Sequence, residues 1–389
     1  MPETVCVCAP RHLNIGKGAV NSVVEMLAKI GNIKNPLIVT DKVMVNIGLA
    51  TRLQELLSAG GLRSAVFDAV LPDPTDEIVL SGIRLLETGG HDAVIGLGGG
   101  SPLDAGKAIA VMVKNSRDLQ DYRPPQLFNG TGLPMIAIPT TAGTGSEVTH
   151  HTVIIHNASR EKISCRGEGF VPDAAIIDYE LSLSKPRRLI ADNALDTLTH
   201  AIEAYVSRKA TLYSDRMALD CMRLVAANVE NAYHSPDNMV AREALMLAAT
   251  FGGLAFTNAS IALVHAMSRP LGSQFHVPHG MSNAMLLPAV TDFSKDAASD
   301  RYADCARVLG LASDHDNDAK ACAALVAGLY EYNNRLEVPT MSAFGIDMNA
   351  YVSAQAAMAG DAVRSGAPAH NPRVADQSDI IDLYKKAWA

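Results

Sequence analysis

Asp196 and His200 lie four residues apart in the segment DNALDTLTHAIEAY. On a helix that spacing projects both side chains the same way, one turn from each other, which is the arrangement a helix needs to chelate one cation. Leu195, Leu198, Ile202 and Tyr205 mark the core stripe of this helix, expected to start near Asp192, and Glu203 continues the polar face as a support for the ligands. An acid and an imidazole at this spacing are also common on solvated helix faces, so the pair alone does not define a site. Further along, in LVHAMSRPLGSQFHVPHG, His265 sits in an apolar stretch and His279 between Pro278 and Gly280. Three imidazoles and one carboxylate suit Fe(II) or Zn(II), supply a single negative charge and leave coordination open for a substrate oxygen. His265 and His279 are fourteen residues apart, so only tertiary structure can bring them to Asp196.

A second kind of chemistry is suggested by two short turns. GLGGGSPLDAGK, from Gly96 to Lys107, joins an apolar run to a helical pattern through glycines that let backbone approach a ligand closely. Ser101 is expected as N-cap, with Pro102 at the first helical position and Asp104 at the third, completing a capping box. The free N–H groups and positive dipole end of such a helix hold a pyrophosphate without lysines; the alternative is a tight strand-to-helix turn with no ligand. PTTAGTGSEVT, from Pro139 to Thr149, places the hydroxyls of Thr140, Thr141, Thr144 and Ser146 where they can bond phosphate, ribose or the nicotinamide amide. Asp41 follows another apolar run. It is either an ordinary turn aspartate or the acceptor of adenosine ribose hydroxyls, whose charge would favour NAD over NADP.

These residues need elements to hold them. Pro36 to Thr40, Asp92 to Leu97 and Met135 to Ile138 are short, apolar and followed by polar or glycine-rich turns, as expected for parallel strands whose carboxyl ends share one edge. Val153 to Ile163 reads as a hairpin around Asn157-Ala158-Ser159-Arg160, and Ala174 to Asp178 as a further strand. After Leu183 the β-branched runs stop, and Lys185-Pro186 introduces helical patterns to the end. The expected fold class is α/β: a dinucleotide-binding parallel-sheet domain, 1–183, followed by an all-helical metal-binding domain, 184–389, packed closely enough to enclose a cleft.

A chain of 389 residues favours two domains over one. With 48% hydrophobic and 19% charged residues it has the balance of a globular protein. The net charge of -8 is spread without runs of like sign, which argues against a nucleic-acid partner and leaves phosphate binding to backbone groups. The six cysteines form no C-x2-C pair and are read as free thiols. The opening residues carry no signal-peptide pattern, and no apolar stretch is expected to span a membrane, so a cytoplasmic address is expected.

GGGSPLDAGK, PTTAGTGSEVT, ALDTLTHAIEAY, the LVHAM and PHG elements and NPR at Asn371 to Arg373 resemble, in order and over nearly the whole chain, the iron-containing (group III) alcohol dehydrogenase family. The resemblance implies the dehydroquinate synthase-like fold of that family, NAD, and a divalent ion, usually iron. It assigns the metal to Asp196, His200, His265 and His279. It places cofactor contacts at Asp41, Gly98, Gly99, Ser101, Thr140, Thr141, Thr144 and Lys162, the last reaching the nicotinamide ribose, and it implies a homodimer or larger assembly. The implied activity is hydride transfer between NAD(H) and a small alcohol or its carbonyl partner.

One departure stands out. Four residues after His265, where many members carry a histidine associated with proton transfer, this chain has Arg269, which cannot relay a proton. Either His276 or a cofactor ribose hydroxyl then carries the proton, or Arg269 grips an acidic substrate, or Arg269 caps a helix end before Pro270. His150, His151, Phe256 and His276 are candidates for the substrate pocket by position. The rival functions are a metal-independent reductase resembling maleylacetate reductases, a lyase like dehydroquinate synthase, and a non-catalytic dinucleotide sensor.

Overall fold

The computed structural model describes residues 4–388; residues 1–3 and 389, within the expected domain bounds, lie outside the described residues. The described chain divides into two compact units, Cys8–Ser184 and a second formed by 185–388 together with 4–7. The first unit contains the strands β1 (His12–Ile15), β2 (Pro36–Val39), β3 (Ala65–Phe67), β4 (Ala93–Gly98), β5 (Met135–Pro139), β6 (His151–His156), β7 (Glu161–Arg166) and β8 (Ala174–Ile177). Its helices are α1 (Val23–Ile30), α2 (Lys42–Asn46), α3 (Leu49–Ala59), α4 (Asp76–Thr88) and α5 (Gly100–Met112).

Six strands form one parallel sheet in the order β1-β8-β5-β4-β2-β3, while β6 and β7 pair as an antiparallel hairpin. The central strands are apolar at every position because both faces of the sheet are covered. Leu37, Val39, Val94, Met135 and Ala137 join one core with residues of α4 and α5; Ile38, Ala93, Ile95, Leu97, Ile136 and Ile138 join another with α1 and α3. Sequence reading finds these runs and misses β1 and β3. Both are edge strands: β1 alternates half-buried and exposed residues and β3 has only three residues, so neither presents a continuous apolar run.

The second unit contains α6 (Arg187–Val206), α7 (Leu212–His234), α8 (Met239–Thr257), α9 (Leu263–Phe275), α10 (His279–Ser294), α11 (Ser299–Val308), α12 (Asp318–Arg335), α13 (Met348–Arg364) and α14 (Gln377–Lys386). Helix α6 starts at Arg187, five residues before the expected Asp192, because Pro186 already supplies an extended N-cap residue. Its predicted stripe of Leu195, Leu198, Ile202 and Tyr205 is buried, but so are Asp196, His200 and Glu203. A helix buried all round is held by neighbours on every side. Pro270 lies inside α9, which runs on to Phe275, so the reading of Arg269 as the cap of a helix ending there is wrong. The expectation of no membrane-length stretch also needs correcting. Helix α8 is long and apolar enough to cross a membrane by length and composition, although 67% of its apolar window is buried within the protein.

Candidate active site

In the helical unit, one oxygen is the hub of the expected metal ligands. Asp196 Oδ1 lies 3.5 Å from His265 Nε2, 3.6 Å from His279 Nε2 and 4.0 Å from His200 Nε2. With metal bonds of about 2.1 Å, neighbouring ligand atoms of a tetrahedral site lie roughly 3.4 Å apart, so the His265 and His279 separations match the edges of a coordination polyhedron, while that of His200, at 4.0 Å, is longer. Ligand atoms of Asp196, His265 and His279 all fall within 4.8 Å of one another. The His200 ring stacks on His265 at 4.5 Å and on Phe256 at 4.4 Å, and its Nδ1 is buried without a hydrogen-bond partner.

Local sequence explains how three helices converge. Asp196 and His200 are one turn apart on α6, His265 is in the first turn of α9, and His279 opens α10 after Pro278. Gly280 permits the approach of α10 to α6, since a Cβ there would stand 2.1 Å from the Asp192 carbonyl oxygen. Glu203 orients His265: its Oε2 accepts from His265 Nδ1 at 2.6 Å, while its two oxygens also take the Ala262 and Val264 amides at the start of α9. That bond fixes Nε2 as the atom aimed at Asp196. The His279 side chain is 46% exposed, against 2–6% for the others, which leaves the cluster open on one side.

Sequence reading missed Asn283. Its Nδ2 donates to Asp196 Oδ1 at 2.7 Å and lies 3.1 Å from His265 Nε2 and 3.3 Å from His279 Nε2. The available signal was its place one turn after His279 on α10, an i,i+4 relation like that of Asp196 and His200. Electrostatics agree with a cation-receptive centre. Burial alone would raise the Asp196 pKa, but His200, His279 and His265 outweigh it and hold the carboxyl well below the usual range. Burial pushes His200 down to about 3, with Asp196 opposing and His265, His279 and Arg269 reinforcing. For His265, burial is overcome by Glu203 and Asp196, which push it up to about 9.

Arg269 stands one turn beyond His265 on α9, half-buried, and its charge reaches His200. His276 is the exposed C-cap of the same helix, in the left-handed conformation at φ 56°.

In the α/β unit the two glycine- and threonine-rich turns meet. A Cβ on Gly100 would lie 3.0 Å from Thr144 Cγ2 and one on Gly99 3.3 Å from Thr141 Cγ2, so the two turns pack closely at these glycines. Gly98 has φ 148°, and its carbonyl accepts from the Thr140 amide at 2.8 Å. Helix α5 begins at Gly100 with Gly99 as N-cap and no side-chain cap. The expected capping box of Ser101 and Asp104 is therefore absent, with Ser101 already inside the first turn. Asp104 is instead half-buried, its carboxylate engaged by Ser146 Oγ at 2.7 Å and the Val153 amide at 2.9 Å. Asp104 and Ser146 thus tie the two turns and the hairpin together, and their side chains are spent on each other.

Thr140 Oγ1 is buried without a hydrogen-bond partner, a position that a ligand acceptor or donor would satisfy. Asp41 caps α2 through a 3.0 Å bond from the Met44 amide to Oδ1. Lys162, on β7, pairs with Asp73 at 2.8 Å. Lys107 was not anticipated: fully buried, it donates to Thr149 O, Thr149 Oγ1 and His151 O at 2.9–3.1 Å and so pins the start of the hairpin.

The family model for iron-containing alcohol dehydrogenases matches residues 10–179, and that for the C-terminal part of the Fe-containing alcohol dehydrogenase family matches residues 190–388. The chain belongs to the iron-containing alcohol dehydrogenase family. Among its relatives, lactaldehyde reductase of Escherichia coli is 34% identical over 380 residues, covering 96% of this chain and 97% of that one. The NAD-dependent methanol dehydrogenase of Bacillus methanolicus is 34% identical over 373 residues, with 96% and 97% covered. The crystal structure of a 1,3-propanediol oxidoreductase superposes with a TM-score of 0.95 at 31% identity, covering 99% of this chain and 100% of that one. The protein is thus an oxidoreductase of the alcohol dehydrogenase type, and NAD with a divalent metal are the cofactors its family implies.

Proposed function

We propose that this iron-containing alcohol dehydrogenase interconverts a small alcohol and its carbonyl partner with NAD(H), using a divalent cation held by Asp196, His200, His265 and His279. The observation that carries the reading is the convergence of His265 and His279 on one buried carboxylate oxygen at the separations a tetrahedral ion requires, with the His200 ring 4.0 Å from the same oxygen. When bound, the cation supplies Lewis acidity toward the alcohol or carbonyl oxygen.

The chain's own residues do the rest. Glu203 holds the His265 ring in the tautomer whose Nε2 is a ligand. Burial, reinforced by His265, His279 and last by Arg269, keeps His200 neutral, the form that ligates. The exposed side of His279 admits the substrate, and His276, exposed three residues earlier, is the proposed group that passes the proton to solvent. The turns carrying Gly98, Gly99, Ser101, Thr140, Thr141 and Thr144 bind and orient the dinucleotide, supported by the uncapped start of α5 and the unsatisfied Thr140 hydroxyl. Iron as the ion, a homo-oligomeric state and a cytoplasmic location belong to the same proposal and rest on kinship.

The test is turnover of a small-aldehyde panel with NADH before and after chelation, and with Asp196→Ala. Loss in both cases, restored for the parent protein by Fe(II) or Zn(II), is expected. Full turnover by the chelated protein and by the variant refutes the metal role.

A further inference from the structure

Glu203 orients His265, and the helical unit gives Asp196 a comparable partner in Asn283. Asn283 is fully buried on α10, one turn after His279. Its backbone is held on two sides. Gly280 sits against the Asp192 carbonyl of α6, and the Ala284 carbonyl accepts from Asn333 Nδ2 of α12 at 2.7 Å. Between them Ser282 Oγ donates to the His279 carbonyl at 2.8 Å. From this fixed root the amide reaches the ligand cluster, where Nδ2 donates to Asp196 Oδ1 at 2.7 Å.

The other end of the amide is orphaned. Asn283 Oδ1 is buried without a hydrogen-bond partner, which is destabilising, whereas a leucine of nearly the same shape would leave nothing unpaired. Turning the amide over does not help, because Oδ1 would then face Asp196 Oδ1, setting two acceptors 2.7 Å apart. The carboxylate therefore dictates which end points inward, and what the donor end does there explains the side chain. Asp196 is the ligand most in need of orientation, since a carboxylate can turn either oxygen, or both, toward a cation. The bond to Oδ1 pins that oxygen among the three Nε2 atoms, 3.5 to 4.0 Å away. Nδ2 also lies 3.1 Å from His265 Nε2 and 3.3 Å from His279 Nε2. Each of those nitrogens has a single lone pair, which serves either an N–H or a cation, whereas the carboxylate oxygen can accept from the amide and ligate as well.

We infer that Asn283 is a positioning residue for the cation: its N–H holds the Asp196 carboxylate so that Oδ1 alone is offered to the ion, and it adds no charge of its own to the donor set. The inference rests on the proposed dehydrogenase reading and adds, to the four proposed ligands, the group that aims one of them.

Asn283→Leu nearly keeps the side chain's shape while removing both the donor and the orphaned oxygen. Affinity for Zn(II) and for Co(II), measured by competition with a chelator, should fall about 10- to 100-fold. Without metal the variant should melt no lower than the parent, because loss of an unsatisfied carbonyl offsets loss of one hydrogen bond. A lowered melting temperature with unchanged affinity would make Asn283 merely structural. At saturating Co(II) the visible absorption bands of the variant should weaken, because a carboxylate free to turn brings its second oxygen to the ion and raises the coordination number. Affinity within about threefold of the parent overturns the inference, as does an unaltered Co(II) spectrum. Tighter binding overturns it too, since the amide would then be competing with the cation for the imidazole lone pairs. Should the leucine variant not fold, Asn283→Ala is put through the same affinity and spectral measurements, with the same results expected. A parent protein that binds neither metal refutes the cation site itself rather than the role of Asn283.

Discussion

Two histidine groups in this molecule have opposite electrostatic outcomes. His150 and His151, at the root of the β6–β7 hairpin, have Lys107 and Arg166 as charged neighbours, and burial with those cations strips the proton from His150. His265, in the helical unit, is as deeply buried as any histidine here, yet Glu203 and Asp196 push it up to about 9. Burial is common to both, so it is the sign of the neighbouring charge that decides. The helical cluster gathers imidazole nitrogens around one carboxylate oxygen, a donor set suited to a cation. The hairpin root gathers the cations Lys107 and Arg166 around its imidazole and disfavours a further positive charge.

The sharpest way to break the cation-receptive side is Asp196→Ala, which removes the atom on which every other donor converges. Metal content measured on purified protein should fall to background and kcat by at least about a hundredfold, beyond the range typical of residues that only support ligands. A variant that keeps its metal would show that the imidazoles suffice. Next in size is Glu203→Gln. The amide still accepts from His265 but carries no charge, and it cannot serve the Ala262 and Val264 amides through two equivalent oxygens. Metal affinity, measured by competition with a chelator, should drop about 10- to 100-fold while the fold persists. Unchanged affinity would reduce Glu203 to a brace for the start of α9.

The same contrast explains what was legible in the sequence. Asp196 and His200 show their relation through helical spacing, and the glycines and threonines of the two turns show theirs through density after an apolar run. The buried central strands were legible because both faces are covered; the edge strands β1 and β3 were not, because half of each is exposed or the strand is very short. Asn283 and Lys107 escaped because their partners are distant in sequence and only packing brings them together. Arg166 escaped for a different reason. Its Nε is buried without a hydrogen-bond partner, and no spacing in a sequence displays an absence. The capping box expected at Ser101 failed because Asp104 finds a more buried use in the hairpin, a tertiary demand that overrides a local signal.

On the dinucleotide side, Thr140→Val should weaken NAD binding about tenfold, measured by fluorescence titration of NADH, with metal content unchanged. The threonine hydroxyl is buried and unsatisfied within the protein, and a neutral hydrogen bond supplied by a ligand is worth roughly 1–1.5 kcal/mol. Unaltered affinity would mean that the hydroxyl does not face the cofactor.

The substitution expected to alter turnover least tests the hairpin histidine. Folding lowers the His150 pKa from 6.5 to about 4, so the unfolded chain takes up its proton first as the solution is acidified. The stability associated with the neutral ring is fully present above pH 6.5 and is lost as the pH falls toward 4, because protons bound preferentially by the unfolded state favour unfolding. His150→Gln removes the titrating group while keeping a polar side chain of similar reach. Its melting temperature should therefore fall less steeply than that of the parent between pH 6.5 and 4, with the two curves differing in free energy by no more than about 2 kcal/mol at the acid end. Parallel curves would mean that His150 keeps its proton in the folded protein. The hairpin root would then hold a third cation beside Lys107 and Arg166, and the contrast with the carboxylate-bound His265 would be lost.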